Sequence, residues 1–124
     1  HGIRRAKDFE FFIRNDQKVW RTLVLEGRDK NIEGFLSSIS HPGSSMLGPG
    51  VMRSEPAALA LIHAQLEGLR GHEPVFLVPA GAVELVPSLY RWGARNCELH
   101  IAQARGHAKQ PEGVTMPTFM PETS

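Results

Sequence analysis

The chain has 124 residues, of which 41% are hydrophobic and 22% charged, as in an average soluble globular domain with a modest core. Its 14 Lys and Arg nearly balance its 13 Asp and Glu, which gives a formal net charge of +1. This balance provides no electrostatic basis for binding nucleic acid or an anionic membrane, so we expect neither partner.

The first half of the chain predicts three strands. Residues 19–27, VWRTLVLEG, are rich in β-branched and aromatic residues, and residues 32–40, IEGFLSSIS, follow the polar turn RDKN. These two segments predict a hairpin. HPGSS at 41–45 predicts the next turn, and a third strand is expected over about 44–53. Residues 4–18 fit a helix or a strand equally well.

A helix is predicted from Ser54, its N-cap, to about Arg70. Pro56 lies early enough in the first turn to be tolerated, and Gly71 is a suitable C-terminal stop. A stripe of apolar residues at spacings of three and four predicts the core-facing side: Leu59, Ile62, Leu66 and Leu69.

The second half predicts two more strands and a shorter helix. Residues 74–80, PVFLVPA, are almost wholly apolar, which predicts a strand buried on both faces. A helix is predicted over about 82–92, disturbed by Pro87 and ended by Gly93. Residues 97–105, CELHIAQAR, alternate like a strand with one wet face. The order β-β-β-α-β-α-β predicts an α/β domain with a mixed sheet and helices on its faces.

Beyond Gly106, three prolines predict a largely irregular chain: Pro111, Pro117 and Pro121. This stretch also holds apolar side chains that a disordered tail usually lacks: Met116, Phe119 and Met120. One interpretation is a frayed terminus, and the other is an extended arm that docks on its own body, on a partner subunit or on a missing domain. We therefore expect a single domain over 1–110 and an irregular Pro-rich arm over 111–124.

The order of elements and LYRWGARNCELHIAQARG at 89–106 together resemble the C-terminal part of the GNAT N-acyltransferase fold. In that superfamily a helix ends in a Leu-Tyr-x-x-x-Gly-Phe-like signature before a strand. In this chain the similar positions are Leu89, Tyr90, Gly93 and Ala94. One residue fewer separates Tyr90 from the glycine than in the family signature. GFLSSISHPGSSMLGPGVM, followed by a helix and PVFLVPA, is more closely similar to the second GNAT-like domain of bacterial proteins that carry two in tandem. The resemblance spans about 19–106, and the first part of such a domain, which covers the acceptor cleft, would be reduced to 1–18.

The resemblance implies acyl-coenzyme A chemistry, in which acetyl-CoA or another acyl-CoA gives its acyl group directly to a small-molecule amine. Gly48-Pro49-Gly50 would be the bulge that splays the strand and presents backbone groups to the pantetheine, with groups near Met52 polarising the carbonyl. The following loop and helix N-terminus would bind the pyrophosphate, because free N–H groups and the helix dipole favour anions. Tyr90 would protonate the departing thiolate. The coenzyme-binding residues implied in this way are Gly50, Val51, Met52, Arg53, Ser54 and Ala57.

Several residues depart from the pattern of the family. MRSEPAAL has no glycine after Gly50, Glu55 would place a negative charge at the anion site, and Pro56 removes an N–H donor. Val83 stands where the family often has asparagine. Two functions therefore stay open: an acyl-CoA N-acyltransferase, or a degenerate GNAT-like domain that binds no coenzyme and has a structural or partner-binding role. The resemblance is compatible with a homodimer or with a second GNAT domain as partner.

The same residues also have plain structural interpretations. The glycines around Pro49 suit a β-bulge, and Tyr90 suits a packed aromatic at a helix end. Candidates for a general base lie on strands but suit a solvated face as well: Glu26, Glu33 and His100.

Other kinds of site find no support in the sequence. The six histidines lack the spacing of metal ligands, so no metal site is predicted. Cys97 is the only cysteine, which excludes an internal disulfide and indicates a reducing compartment, so we expect a cytoplasmic protein. No apolar run has the length of a membrane span.

Overall fold

The computed structural model describes residues 13–15 and 18–118. The predictions for residues 4–12 and for Phe119 and Met120 lie outside these ranges. Within them the fold is α+β, with a four-stranded antiparallel sheet and two helices.

The sheet has the strand order β1-β2-β3-β4. Its strands are β1 (Trp20–Glu26), β2 (Ile32–His41), β3 (Ser44–Met52) and β4 (Val114–Met116). The first three strands and the hairpin between β1 and β2 confirm the predictions made from the β-branched runs and the polar turns.

Helix α1 (Glu55–Glu67) covers one face of the sheet. Its N-cap is Ser54, as predicted, and the Ser54 hydroxyl accepts the N–H of Ala57 at 3.2 Å. The predicted end at Arg70 is wrong, because the helix stops at Gly68 and the chain continues in turns through Gly71, whose φ is +84°. The main core forms where this helix meets the sheet, and its fully buried side chains include Leu36, Leu47, Met52, Ile62 and Met116.

A buried amide joins α1 to the sheet. Gln65 is fully buried, and its Nε2 donates to the carbonyl oxygens of Leu36 at 2.6 Å and Arg21 at 3.0 Å. Its Oε1 accepts the hydroxyl of Ser38 at 2.9 Å. Since both ends of the amide are satisfied, the group fixes the position of α1 on β2 without the cost of an unpaired buried polar atom.

Helix α2 (Leu85–Arg91) packs beside α1 and is shorter than the predicted 82–92. It ends as expected before Gly93, whose φ is +96°. The Glu55 side chain, at the start of α1, contacts the first N–H groups of α2, and the His63 ring lies 5.5 Å from that of Trp92, just after α2. The two helices therefore run in the same direction.

Two predicted strands are absent, and one unpredicted strand is present. Residues 74–80 contribute only an isolated parallel bridge between Val75 and Met46, because prolines at both ends of the segment keep it from extending the ladder. Residues 97–105 form no strand and are exposed. Val114–Met116, inside the segment expected to be irregular, pairs with β3, so this part of the C-terminal arm docks on its own body. Within the described residues the four-stranded sheet is therefore antiparallel, and the parallel pairing expected of a mixed sheet is limited to the Val75–Met46 bridge.

Candidate functional site

The candidate site is the junction where β3 passes into α1, and it begins with a bulge. Leu36 pairs with Gly50 and Ser38 pairs with Leu47, so one residue of β2 faces the two residues Gly48 and Pro49 of β3. This is the two-against-one count of a β-bulge, as predicted. Gly48 has a φ of +124°, and a Cβ there would lie 2.7 Å from the carbonyl oxygen of Pro117, so the position requires glycine.

The strand beyond the bulge has a partner on both sides. Gly50, Val51 and Met52 pair with β2, and on the opposite edge they pair with β4 in the register Gly50↔Met116, Val51↔Thr115 and Met52↔Val114. Two of the three β4 side chains, those of Val114 and Met116, are buried in the core. The backbone that the resemblance assigns to pantetheine is therefore hydrogen-bonded within the chain.

The start of α1 offers few free donors. Pro56 has no N–H, and the N–H of Ala57 is taken by the Ser54 hydroxyl. Among the residues that the structure describes, this leaves the N–H of Glu55 as the one donor of the first three helical positions without a partner. Arg53 is exposed, and its Nε donates to the carbonyl oxygen of Ile32 at 3.0 Å, which directs the guanidinium along β2.

The Glu55 carboxylate binds the start of α2, whereas the resemblance would place its negative charge at the anion site. Its Oε2 accepts the N–H of Glu84 at 2.7 Å and that of Leu85 at 2.6 Å. The Glu84 side chain makes no capping bond of its own, so the carboxylate of α1 caps the first turn of α2. Sequence reasoning missed this role, because the cap lies 29 residues from the helix that it serves.

Tyr90 lies near the other end of α2. It follows Leu85 by five residues, which places it about 7.5 Å further along the helix axis than the turn capped by Glu55. The side chain is 48% exposed, and its hydroxyl lies 2.9 Å from Oδ1 of Asn96. Because α1 and α2 run in the same direction, this position is displaced from the α1 N-terminus towards the middle of α1.

The remaining candidates are dispersed. Glu26 and Glu33 lie on β1 and β2, and His100 lies in the exposed stretch after α2, where its Nε2 is 3.0 Å from the Glu98 carboxylate. No group of three or more metal-ligating side chains occurs within residues 13–15 and 18–118.

An open crevice of about 520 Å³ lies at the turn between β2 and β3, between Val75 and Glu98. It is at the opposite end of β3 from Ser54, roughly 25 Å away along the strand.

The chain matches no model of a protein family, no curated protein and no solved structure. Neither helix in the described part of the chain is long and apolar enough to cross a bilayer.

Proposed function

We propose that this chain is a non-catalytic domain of GNAT type with a structural or partner-binding role. The observation that carries the proposal is the pairing of Gly50, Val51 and Met52 with β2 on one edge and with β4 on the other. A coenzyme that used this backbone would first have to displace β4.

Displacing β4 is costly. The buried side chains of Val114 and Met116 each contribute about 1.5–3 kcal/mol by leaving water, and the three ladder pairs would also be lost. Pantetheine binding would have to supply this free energy before any net affinity appeared.

The anion site is also weak in this geometry. A helix N-terminus binds phosphate through several free N–H groups acting together, whereas the first turn of α1 has one such donor among the described residues. Glu55, although engaged with α2, keeps a negative charge beside that donor. Both features favour a domain that acts through its surface.

The competing function is an acetyl-CoA-dependent N-acyltransferase with Tyr90 as acid and the β3–α1 residues as coenzyme contacts. Calorimetric titration of the full chain with acetyl-CoA separates the two. We expect no saturable heat at millimolar coenzyme. Saturable binding that weakens in Ser54→Ala, but not in the control variant Ser44→Ala at the half-buried start of β3, would overturn the proposal in favour of the enzyme.

A further inference from the structure

The chain makes a long excursion between α2 and β4. Every residue from 93 to 113 is exposed, and this stretch contains no helix or strand. Excursions of this length without secondary structure are uncommon in a small domain and are usually either functional or linker segments. The excursion is well suited to reach another molecule.

One part of the excursion has the composition of a strand. In residues 97–103, here called the arm, Leu99 is 79% exposed and Ile101 is 77% exposed, and they alternate with the polar residues Glu98 and His100. Alternation with period two places these two side chains on one face. The arm therefore has an apolar face that the rest of the described chain leaves uncovered.

The same chain contains a sheet edge that lacks a strand. Val75 continues the sheet beside Met46 through two backbone hydrogen bonds, Leu47 N–H to Val75 O at 3.2 Å and Val75 N–H to Ser45 O at 3.0 Å. The next three residues, Phe76, Leu77 and Val78, are half-buried, and no backbone hydrogen bond joins their N–H groups to any described residue. Residues 75–78, here called the open edge, contain one bridged residue, Val75, and three that form no ladder, so their backbone can receive a further strand.

Within one molecule the arm and the open edge lie beside one crevice, and no backbone hydrogen bond joins them. The crevice of about 520 Å³ lies between Val75 of the open edge and Glu98 of the arm, and the exposure of Leu99 shows that it does not pack on its own edge.

We propose that the arm of one copy adds as a strand to the open edge of a second copy, so that two chains form a symmetric, arm-exchanged dimer. In a two-fold dimer each copy gives one arm and receives one, which supplies both missing partners at once. Main-chain hydrogen bonds to Phe76 and Val78 provide the affinity, because both backbone groups of Val75 already face β3 and the direction alternates along an extended chain. Leu99 and Ile101 cover the half-buried apolar side chains of the edge. The inference deepens the proposed function, on which it rests, by naming the partner as a second copy of this chain.

Sedimentation velocity of the full chain over a range of concentrations tests the proposal, with Ile101→Pro as the disruptive variant. Proline removes one ladder hydrogen bond from each arm, and each lost bond is worth roughly tenfold in affinity. We therefore expect a dimer whose dissociation constant rises about a hundredfold in this variant. The matched control, Ala108→Pro, places proline in the same exposed excursion but outside the arm and should leave the dissociation constant unchanged.

Hydrogen exchange of the amides of residues 76–78 gives a second measurement. Protection that grows with protein concentration, and is lost in Ile101→Pro, supports exchange between copies. A chain that stays monomeric at all concentrations overturns the proposal, as does a dimer that Ile101→Pro leaves intact. Protection that is independent of concentration shows pairing within one molecule and overturns it too. None of these results requires acetyl-CoA, so the failure of this inference is distinguishable from the failure of the proposed function.

Discussion

Removing the Glu55 carboxylate tests whether α1 caps α2. In Glu55→Ala the N–H groups of Glu84 and Leu85 lose their acceptor at 2.7 Å and 2.6 Å. A hydrogen bond to a charged group contributes about 1.5–3 kcal/mol, and loss of a helix cap typically costs about 1 kcal/mol. Water can replace the carboxylate at the exposed N–H of Glu84 but less readily at the partly buried one of Leu85. We therefore expect a loss of about 2 kcal/mol in the free energy of unfolding.

Urea unfolding followed by circular dichroism and by tryptophan fluorescence measures this loss. Trp92 directly follows α2, so its emission reports locally on that helix. For a chain of this size about 2 kcal/mol corresponds to a fall in Tm of roughly 6–10 °C. Glu55→Gln keeps an acceptor oxygen and should lose less than Glu55→Ala. The control is Glu73→Ala, which removes an equal charge from an exposed loop. If Glu55→Ala and Glu73→Ala unfold at the same urea concentration, the capping role is refuted.

Four further substitutions have expected outcomes. Gln65→Leu keeps the volume but leaves two carbonyl oxygens and a hydroxyl without their partner, so urea unfolding should show a loss of about 3 kcal/mol. Gly106 and Gly113 have φ values of +82° and +77°, but only a Cβ at Gly113 would meet another part of the chain, a carbonyl oxygen next to β4. Gly106→Ala should therefore cost at most about 1–2 kcal/mol in thermal unfolding, and Gly113→Ala should cost more, because it also displaces β4. The pKa of Glu67 is lowered by the hydrogen bond from Arg70 and then by its charge, so Arg70→Ala should raise that pKa towards its ordinary value in a carboxyl NMR titration. The wild-type pair stabilises the fold above the unfolded-state pKa of Glu67, and this contribution is lost as the pH falls through the lower folded-state pKa.

Local signals were enough to predict the first half of the chain. The runs before Gly27 and after Asn31 have β-branched and apolar residues separated by a polar turn, and they form β1 and β2. Ser54 before an apolar periodic segment predicts a capped helix, and α1 begins there. In each case the residues that specify the element are adjacent in sequence, so no knowledge of distant partners was needed.

The second half depends on partners that lie far away in sequence. Residues 97–105 alternate as a strand should, yet a strand exists only where another edge receives it, and no edge among the described residues does so. Conversely, Val114–Met116 lies among prolines and glycine but becomes β4, because β3 offers an edge more than 60 residues earlier. Composition alone gave no indication of which segment would fill that edge.

In the candidate site, too, the features set by neighbouring residues were predicted and those set by distant residues were not. The bulge at Gly48 and Pro49 follows from glycines inside a strand, and it was predicted. The destination of the Glu55 carboxylate depends on how α2 packs against α1, which no local pattern specifies. The acid that the sequence places at an anion site is thus, in the folded chain, a cap for the neighbouring helix.

The outer edge of β3 has two halves with different occupants. Before the bulge, Met46 pairs with Val75, and after it Gly50, Val51 and Met52 pair with β4. The second half is closed by the buried side chains of Val114 and Met116, so a ligand would compete there with the core of the protein. At the first half the bridge stops at Val75, and the half-buried residues 76–78 that follow it have no strand partner in the described chain. A partner strand can therefore bind at the first half without breaking any core contact of the protein. At the second half it would first have to displace β4. This difference locates the interacting surface at the open edge, away from the β3–α1 junction to which the resemblance assigns coenzyme.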